Sequence, residues 1–180
     1  MARATNLVGN LERIEDCYIR VGEDIIYAYV LPTLGDGHQA TYNSETGIGR
    51  SIPTKTFQSG SDRNISVEWQ FFAEGEGKLL GNLYYYRLLT SCTYPVDLPQ
   101  GASVPFLPPK IVKIKCGRLL GDEELCCVVN SVNVNWPTDG PWSSLEYGYI
   151  PYKFSLTINL SVVYNSADLP GAARILSLGR

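Results

Sequence analysis

Hydrophobic and polar positions alternate most regularly near the end of the chain, in YIPYKFSLTINLSVVYN (149–165). Tyr152, Phe154, Leu156, Ile158, Leu160, Val162 and Tyr164 interleave with Lys153, Ser155, Thr157, Asn159 and Ser161. A period of two predicts a strand with one dry and one wet face. At about 3.3 Å per residue it would span roughly 40 Å, which calls for a large sheet or barrel. NISVEWQFFAE (64–74) repeats the pattern, with Ile65, Val67, Trp69 and Phe71 against Ser66, Glu68 and Gln70. CYIRVGEDIIYAYVL reads as a hairpin: Cys17, Ile19 and Val21, a turn at Gly22-Glu23-Asp24, then Ile25, Tyr27, Tyr29 and Leu31 up to Pro32.

One stretch has a helical period. In KLLGNLYYYRLLTSCTYP (78–95), Tyr85, Leu88, Leu89 and Cys92 fall at i, i+3, i+4 and i+7, with Leu79, Leu83 and Tyr86 beside them. Pro95 ends this segment, and VDLPQGASVPFLPP (96–109) is a proline-rich connector that favours extended backbone. A second hairpin follows. Val112, Ile114 and Cys116 alternate with Lys113 and Lys115, Gly121 and Asp122 supply a turn, and Val132, Val134 and Trp136 oppose Ser131, Asn133 and Asn135. In this register Cys116 and Cys126 share the apolar face and Cys127 points the other way. Residues 32–64 are rich in Gly, Ser, Thr and Asn with little periodicity, and predict an irregular extended insertion in one domain of residues 1–180.

Composition narrows the chemistry. Charged residues make up 18% of the chain, below the usual share of about 25%, and the net charge is −3. No run of Lys and Arg provides the clustered charge that captures nucleic acid. The twelve tyrosines suit both an interface and a sheet, so both readings stay open. No apolar stretch approaches the roughly 18 residues of a membrane span, so no membrane insertion is expected. MARATNLVGNLERIED lacks the apolar core of a secretory signal, and an odd count of five cysteines fits reduced thiols in a reducing compartment.

Catalytic and ligand-binding patterns are missing by spacing. Cys116, Cys126 and Cys127 do not form the paired Cys-x2–4-Cys units of a zinc site, so they read as small buried apolar residues. A single histidine, His38, limits acid–base or triad catalysis. GEGKLLG lacks the spacing of a phosphate loop, and the acidic residues near turns do not alternate as calcium ligands do. The expectation is a protein without catalytic residues, metal or cofactor.

The order of elements from about residue 60 to 165 resembles the tail-tube fold of contractile phage tails and related injection machines, and more narrowly their baseplate tail-tube initiator proteins. The residues that carry it are Thr93-Tyr94-Pro95 at the helix end and Pro108-Pro109 opening a strand that closes on Gly117. The strand from Val129 to Val134 and the long alternation Tyr152 to Tyr164 complete it. The resemblance implies a mainly β, sandwich- or barrel-like fold with one packed amphipathic helix. It further implies a homohexameric ring linking the baseplate hub to the tail tube, with the tape measure and sheath initiator as further neighbours. Its place is the virion tail baseplate, assembled in the host bacterial cytoplasm. Ser155, Thr157, Asn159, Ser161, Ser131, Asn133 and Asn135 would face a wet lumen through which double-stranded DNA passes without specific binding. The tail tube protein or another baseplate adaptor is the alternative in that class, and a small β-barrel binding module with a tyrosine platform the alternative outside it.

Overall fold

The computed structural model describes residues 12–46, 52–97, 106–138, 140–144, 146 and 148–164. Among these the chain is mainly β. The strands are β1 (Ile14–Val21), β2 (Asp24–Ala28), β3 (Thr33–Gly37), β4 (Ala40–Glu45), β5 (Thr54–Gly60) and β6 (Asn64–Phe72), followed by helix α1 (Glu76–Ser91). Then come β7 (Val96–Asp97), β8 (Phe106–Leu107), β9 (Val112–Cys116), β10 (Leu125–Asn135) and β11 (Lys153–Val162).

Seven strands form one sheet in the order β2-β1-β9-β10-β11-β6-β3, with every pair antiparallel. Its two edge strands, β2 and β3, are consecutive in the chain and joined only by residues 29–32. Such a linker reaches at most about 18 Å, whereas seven strands laid flat would span roughly 29 Å. The sheet must therefore curl, and β2 does come into contact with β6. Curling turns the dry face inward. Cys17, Ile19, Val21, Ile26, Ile65, Val67, Trp69, Phe71, Val112, Ile114, Cys127, Phe154, Leu156, Ile158 and Leu160 are buried together in a single core.

Helix α1 lies against β10 and sends Leu89 into that core, joined by Cys92 just past its end, with Leu79 buried nearby. An aromatic chain ties it to the sheet: Tyr86 meets Trp136 edge-on at 5.7 Å, Trp136 meets Phe154 at 5.1 Å, and Phe154 stacks on Phe71 at 5.0 Å. Asn82 donates its side-chain amide to the Phe72 carbonyl at 3.0 Å. The outward side of the helix carries Leu80 and Tyr84, both more than half exposed, so its polar side is only partly polar.

Three expectations need correction. The first hairpin turns in two residues, with Val21 opposite Asp24 and Gly22 at φ +63°, the left-handed first position for which glycine suits a tight hairpin turn. That register sets Ile19 opposite Ile26, so Ile26 and Ala28 are buried, while Ile25 and Tyr27 share the outer face with Arg20 and Tyr18. The second correction concerns the cysteines. Cys127 is buried opposite Val112 and Val162, whereas Cys126 sits opposite Lys113 on the outer face. The cause is a bulge: Val129 pairs with Leu160 and Ser131 with the adjacent Asn159, leaving Asn130 extra. One added residue reverses the face of everything before it.

The third is the stretch 32–64, which is regular where described. β3 joins the main sheet beside β6, and β4 pairs with β5 as a projecting hairpin. Ser61 clasps the hairpin base through its amide hydrogen bond to the Gln39 carbonyl at 2.9 Å. Alternation was invisible here because every residue of both hairpin strands is exposed, so neither face is selected for apolar residues. The final strand is also shorter than its pattern, ending as a ladder at Val162. The proline-rich connector is pinned at its ends by the pairing of β7 with β8, and its residues 98–105 lie outside the described residues.

Candidate functional site

The outer face of the sheet divides into two chemically different halves. Over β1, β9 and the start of β10 it is charged. The Tyr18 hydroxyl donates to Glu124 Oε1 at 2.6 Å, Arg20 Nη2 lies 2.8 Å from the same oxygen, and Lys113 Nζ is 3.6 Å from Oε2. The Tyr18 hydrogen bond chiefly, and then the Arg20 and Lys113 charges, hold the Glu124 carboxyl below the usual carboxylate range.

Beyond the bulge the face is mostly uncharged. Ser131 pairs with Asn159, Asn133 with Thr157 and Asn135 with Ser155, and Ser161 follows on the same face. On the far side of β11, Asn159 pairs with Ser66, Thr157 with Glu68, Ser155 with Gln70 and Ser161 with Asn64. Ser155, Thr157, Asn159, Ser161, Ser131, Asn133 and Asn135 thus lie on one face of the sheet, and β6 extends the strip. The strip is cross-linked by its own side chains. Asn159 Nδ2 donates to Ser131 Oγ at 2.9 Å, Asn130 Nδ2 to Ser161 Oγ at 2.7 Å, and Ser161 Oγ to Asn64 Oδ1 at 2.7 Å.

These bonds hold hydroxyls and amides against the sheet. Glu68 is the acidic exception within the strip, and Lys153 stands at its end with its ammonium over the Phe72 ring at 5.4 Å. The participation of Asn130 and Asn64 was not foreseen. Asn64 was legible as the first polar position of its strand, but Asn130 depends on the bulge, which leaves no mark in the hydrophobic period.

The edge strand β3 is secured by one ion pair. Arg63 forks onto Asp36, with Nε to Oδ1 at 2.9 Å and Nη2 to Oδ2 at 2.6 Å, and His38 Nε2 lies 3.3 Å from Oδ1. The Arg63 hydrogen bonds hold the Asp36 carboxyl below its usual value. A carboxyl depressed in the folded state contributes stability above its unfolded pKa of about 3.9, and that contribution is lost as pH falls through the lower folded value. Acidification below about pH 4 is therefore expected to lower the melting temperature, and Asp36→Asn to reduce that drop, measured by thermal denaturation of both proteins across the acid range.

Among the described residues, no group of three or more His, Cys, Asp or Glu is placed to hold a metal ion, and no helix is long and apolar enough to cross a membrane. Among the described residues, three pairs of aromatic rings that include tyrosine lie at separate places. Tyr18 packs with Tyr27, Tyr84 with Tyr85 on the helix, and Tyr42 with Phe57 on the hairpin.

No protein-family description matches the chain, and no curated protein matches its sequence. Among solved structures, a chain from the virion of a native gene transfer agent particle aligns over 85% of this chain and 99% of that one. The identity is 11% and the TM-score 0.37, a likeness too distant to carry an inference.

Proposed function

We propose that this chain is a structural subunit of a phage-type tail: a tube-like ring, sixfold, seated between the central baseplate hub and the tail tube, on which the tube begins to assemble around a DNA-conducting lumen. The observation that carries the reading is the strip of serine, threonine and asparagine on β10, β11 and β6, with Glu68 and Lys153 as its charged members, set beside a half-sheet that carries Arg20, Lys113 and Glu124. DNA is held by Lys and Arg because they displace its condensed counterions. A surface of serine, threonine and asparagine, tied down by mutual hydrogen bonds, stays wet yet offers phosphates no such exchange.

Two further features fit a ring subunit. The sheet has short edge strands, β2 and β3, that pairing with neighbours would cover. The β4–β5 hairpin stands free with Tyr42 and Phe57 packed on each other at 5.8 Å and both more than half exposed. An isolated hairpin is marginal in water, so a second surface to lie on would stabilise it. In this reading the hairpin reaches an adjacent subunit or an adjacent ring. The tail tube protein itself, or another baseplate adaptor, would use the same strip in the same way, and the number of rings per particle separates them.

The strip can be tested in particles by Thr157→Lys combined with Asn159→Lys. Both side chains are outward, so the variant is expected to fold and be incorporated, while DNA delivery falls by about tenfold or more as the lumen gains phosphate-binding charge. Thr157→Ser should deliver DNA normally. Unchanged delivery by particles that contain the double-lysine variant would remove the lumen assignment.

A further inference from the structure

We propose that Cys17 and Cys116 are a built-in oxidation site, closing to an intramolecular disulfide that staples β1 to β9 when the chain meets a peroxide. The two residues are direct cross-strand partners, 99 positions apart in sequence, with their Sγ atoms 2.9 Å apart in the core. Their pairing type is the permissive one. The Gly117 amide donates to the Asp16 carbonyl at 2.7 Å, so the ladder hydrogen bond passes beside the cysteine pair and does not join it. In such non-hydrogen-bonded pairs the Cα atoms lie about 4.5 Å apart, inside the range of about 4.4–6.8 Å that a disulfide spans without moving backbone.

The other cysteines are differently engaged. The Cys92 thiol donates to the Leu88 carbonyl at 3.3 Å and the Cys127 thiol contacts the Leu125 carbonyl at 3.8 Å, while Cys126 lies on the outer face opposite Lys113. Only Cys17 and Cys116 have sulfur facing sulfur among the described residues. Both are almost fully buried, at 1% and 2% exposure, which favours a small oxidant over a bulky disulfide reagent. The hydrogen bond with Cys17, in which either sulfur can donate, holds the Cys116 thiol below its ordinary pKa.

The Cys116 thiolate attacks one oxygen of hydrogen peroxide, the O–O bond breaks, and the departing hydroxide takes up a proton to become water. Cys116 is now a sulfenic acid. Cys17 sulfur attacks the Cys116 sulfur, the S–O bond breaks, and the hydroxide released takes the Cys17 proton as a second water. Two thiols have lost two electrons to one peroxide. The product ties the β1–β2 edge of the sheet to the second half of the chain, a long loop of the kind for which cross-linking restricts the unfolded state most. Reduced thiols persist in a reducing compartment and the bond persists outside it, so the staple would close on leaving the cell.

The test treats the purified, reduced full chain with hydrogen peroxide and maps its peptides without reduction. The expected product is a Cys17–Cys116 linked peptide, with a melting temperature raised on the order of 10 °C and returned to its starting value by dithiothreitol. Cys17→Ser and Cys116→Ser should each lose the link and the shift, whereas Cys92→Ser and Cys126→Ser should keep both. Access is controlled by repeating the oxidation in urea below the unfolding transition. Both thiols still free under that condition, or a different cysteine pairing, would overturn the proposal.

Discussion

Leu156→Asp and Ile158→Asp are each expected to abolish folding, while Thr157→Ala and Asn159→Ala, their immediate neighbours on β11, fold normally. Leu156 and Ile158 are fully buried and face Trp69 and Val67 on one side and Val134 and Val132 on the other. An aspartate there loses the apolar contacts and has no partner for its carboxyl, whether it stays charged or takes up a proton. The penalty is several kcal/mol, against a total stability of roughly 5–15 kcal/mol for a domain. On the outer face alanine removes only hydroxyl or amide groups that water also satisfies. Expression in soluble form and circular dichroism of the four variants would show the contrast. Equal tolerance on both faces would contradict a one-sided sheet.

The second large effect is expected at Phe154. Its ring, 2% exposed, stacks on Phe71 and contacts Trp136, which in turn meets Tyr86 of the helix. Phe154→Ala removes the link through which helix and sheet share a core, and should cost about 3–5 kcal/mol. Phe154→Leu should recover much of that, since it refills volume without restoring the stacking. Urea denaturation followed by tryptophan fluorescence reads both changes, with Trp136 close enough to report the loss of its neighbour. A cost below about 1 kcal/mol for the alanine variant would mean that the helix is held to the sheet by other contacts.

What was legible in the sequence follows from what the fold selects. The alternation of β6 and β11 was legible because each has one face in the core and one outside, so selection acts on every second position, although the β11 ladder stops at Val162. The helix read correctly from its buried positions, Leu79, Leu89 and Cys92, although Leu80 and Tyr84 blur its outer side. Errors arose where a single residue changes phase. The bulge at Asn130 inverted the cysteine assignment, and the two-residue turn at Gly22-Glu23 inverted the second strand of the first hairpin. Both are local geometries, and hydrophobic periodicity carries no information about them.

The polar strip was legible residue by residue on β10 and β11, but its rows across strands were not. Only the three-dimensional register shows that Ser131, Asn159 and Ser66 lie in one row, and that the charges of Arg20, Lys113 and Glu124 are confined to the other half of the same face. The hairpin β4–β5 was the least legible part. All residues of its two strands are exposed among the described residues, and strands that cover no core need not show the alternation of a sheet that does.

The central claim, a coaxial tube-like ring subunit, is tested most directly by cryo-electron microscopy of the particle made by the genome that encodes this chain. The expected map has six copies in one ring on the tail axis, between the hub and the first tube ring, with Thr157 and Asn159 lining the lumen and the β4–β5 hairpin laid on a neighbouring subunit. A chain found away from the axis, or absent from the particle, or present with its charged half-sheet turned to the lumen, would contradict it.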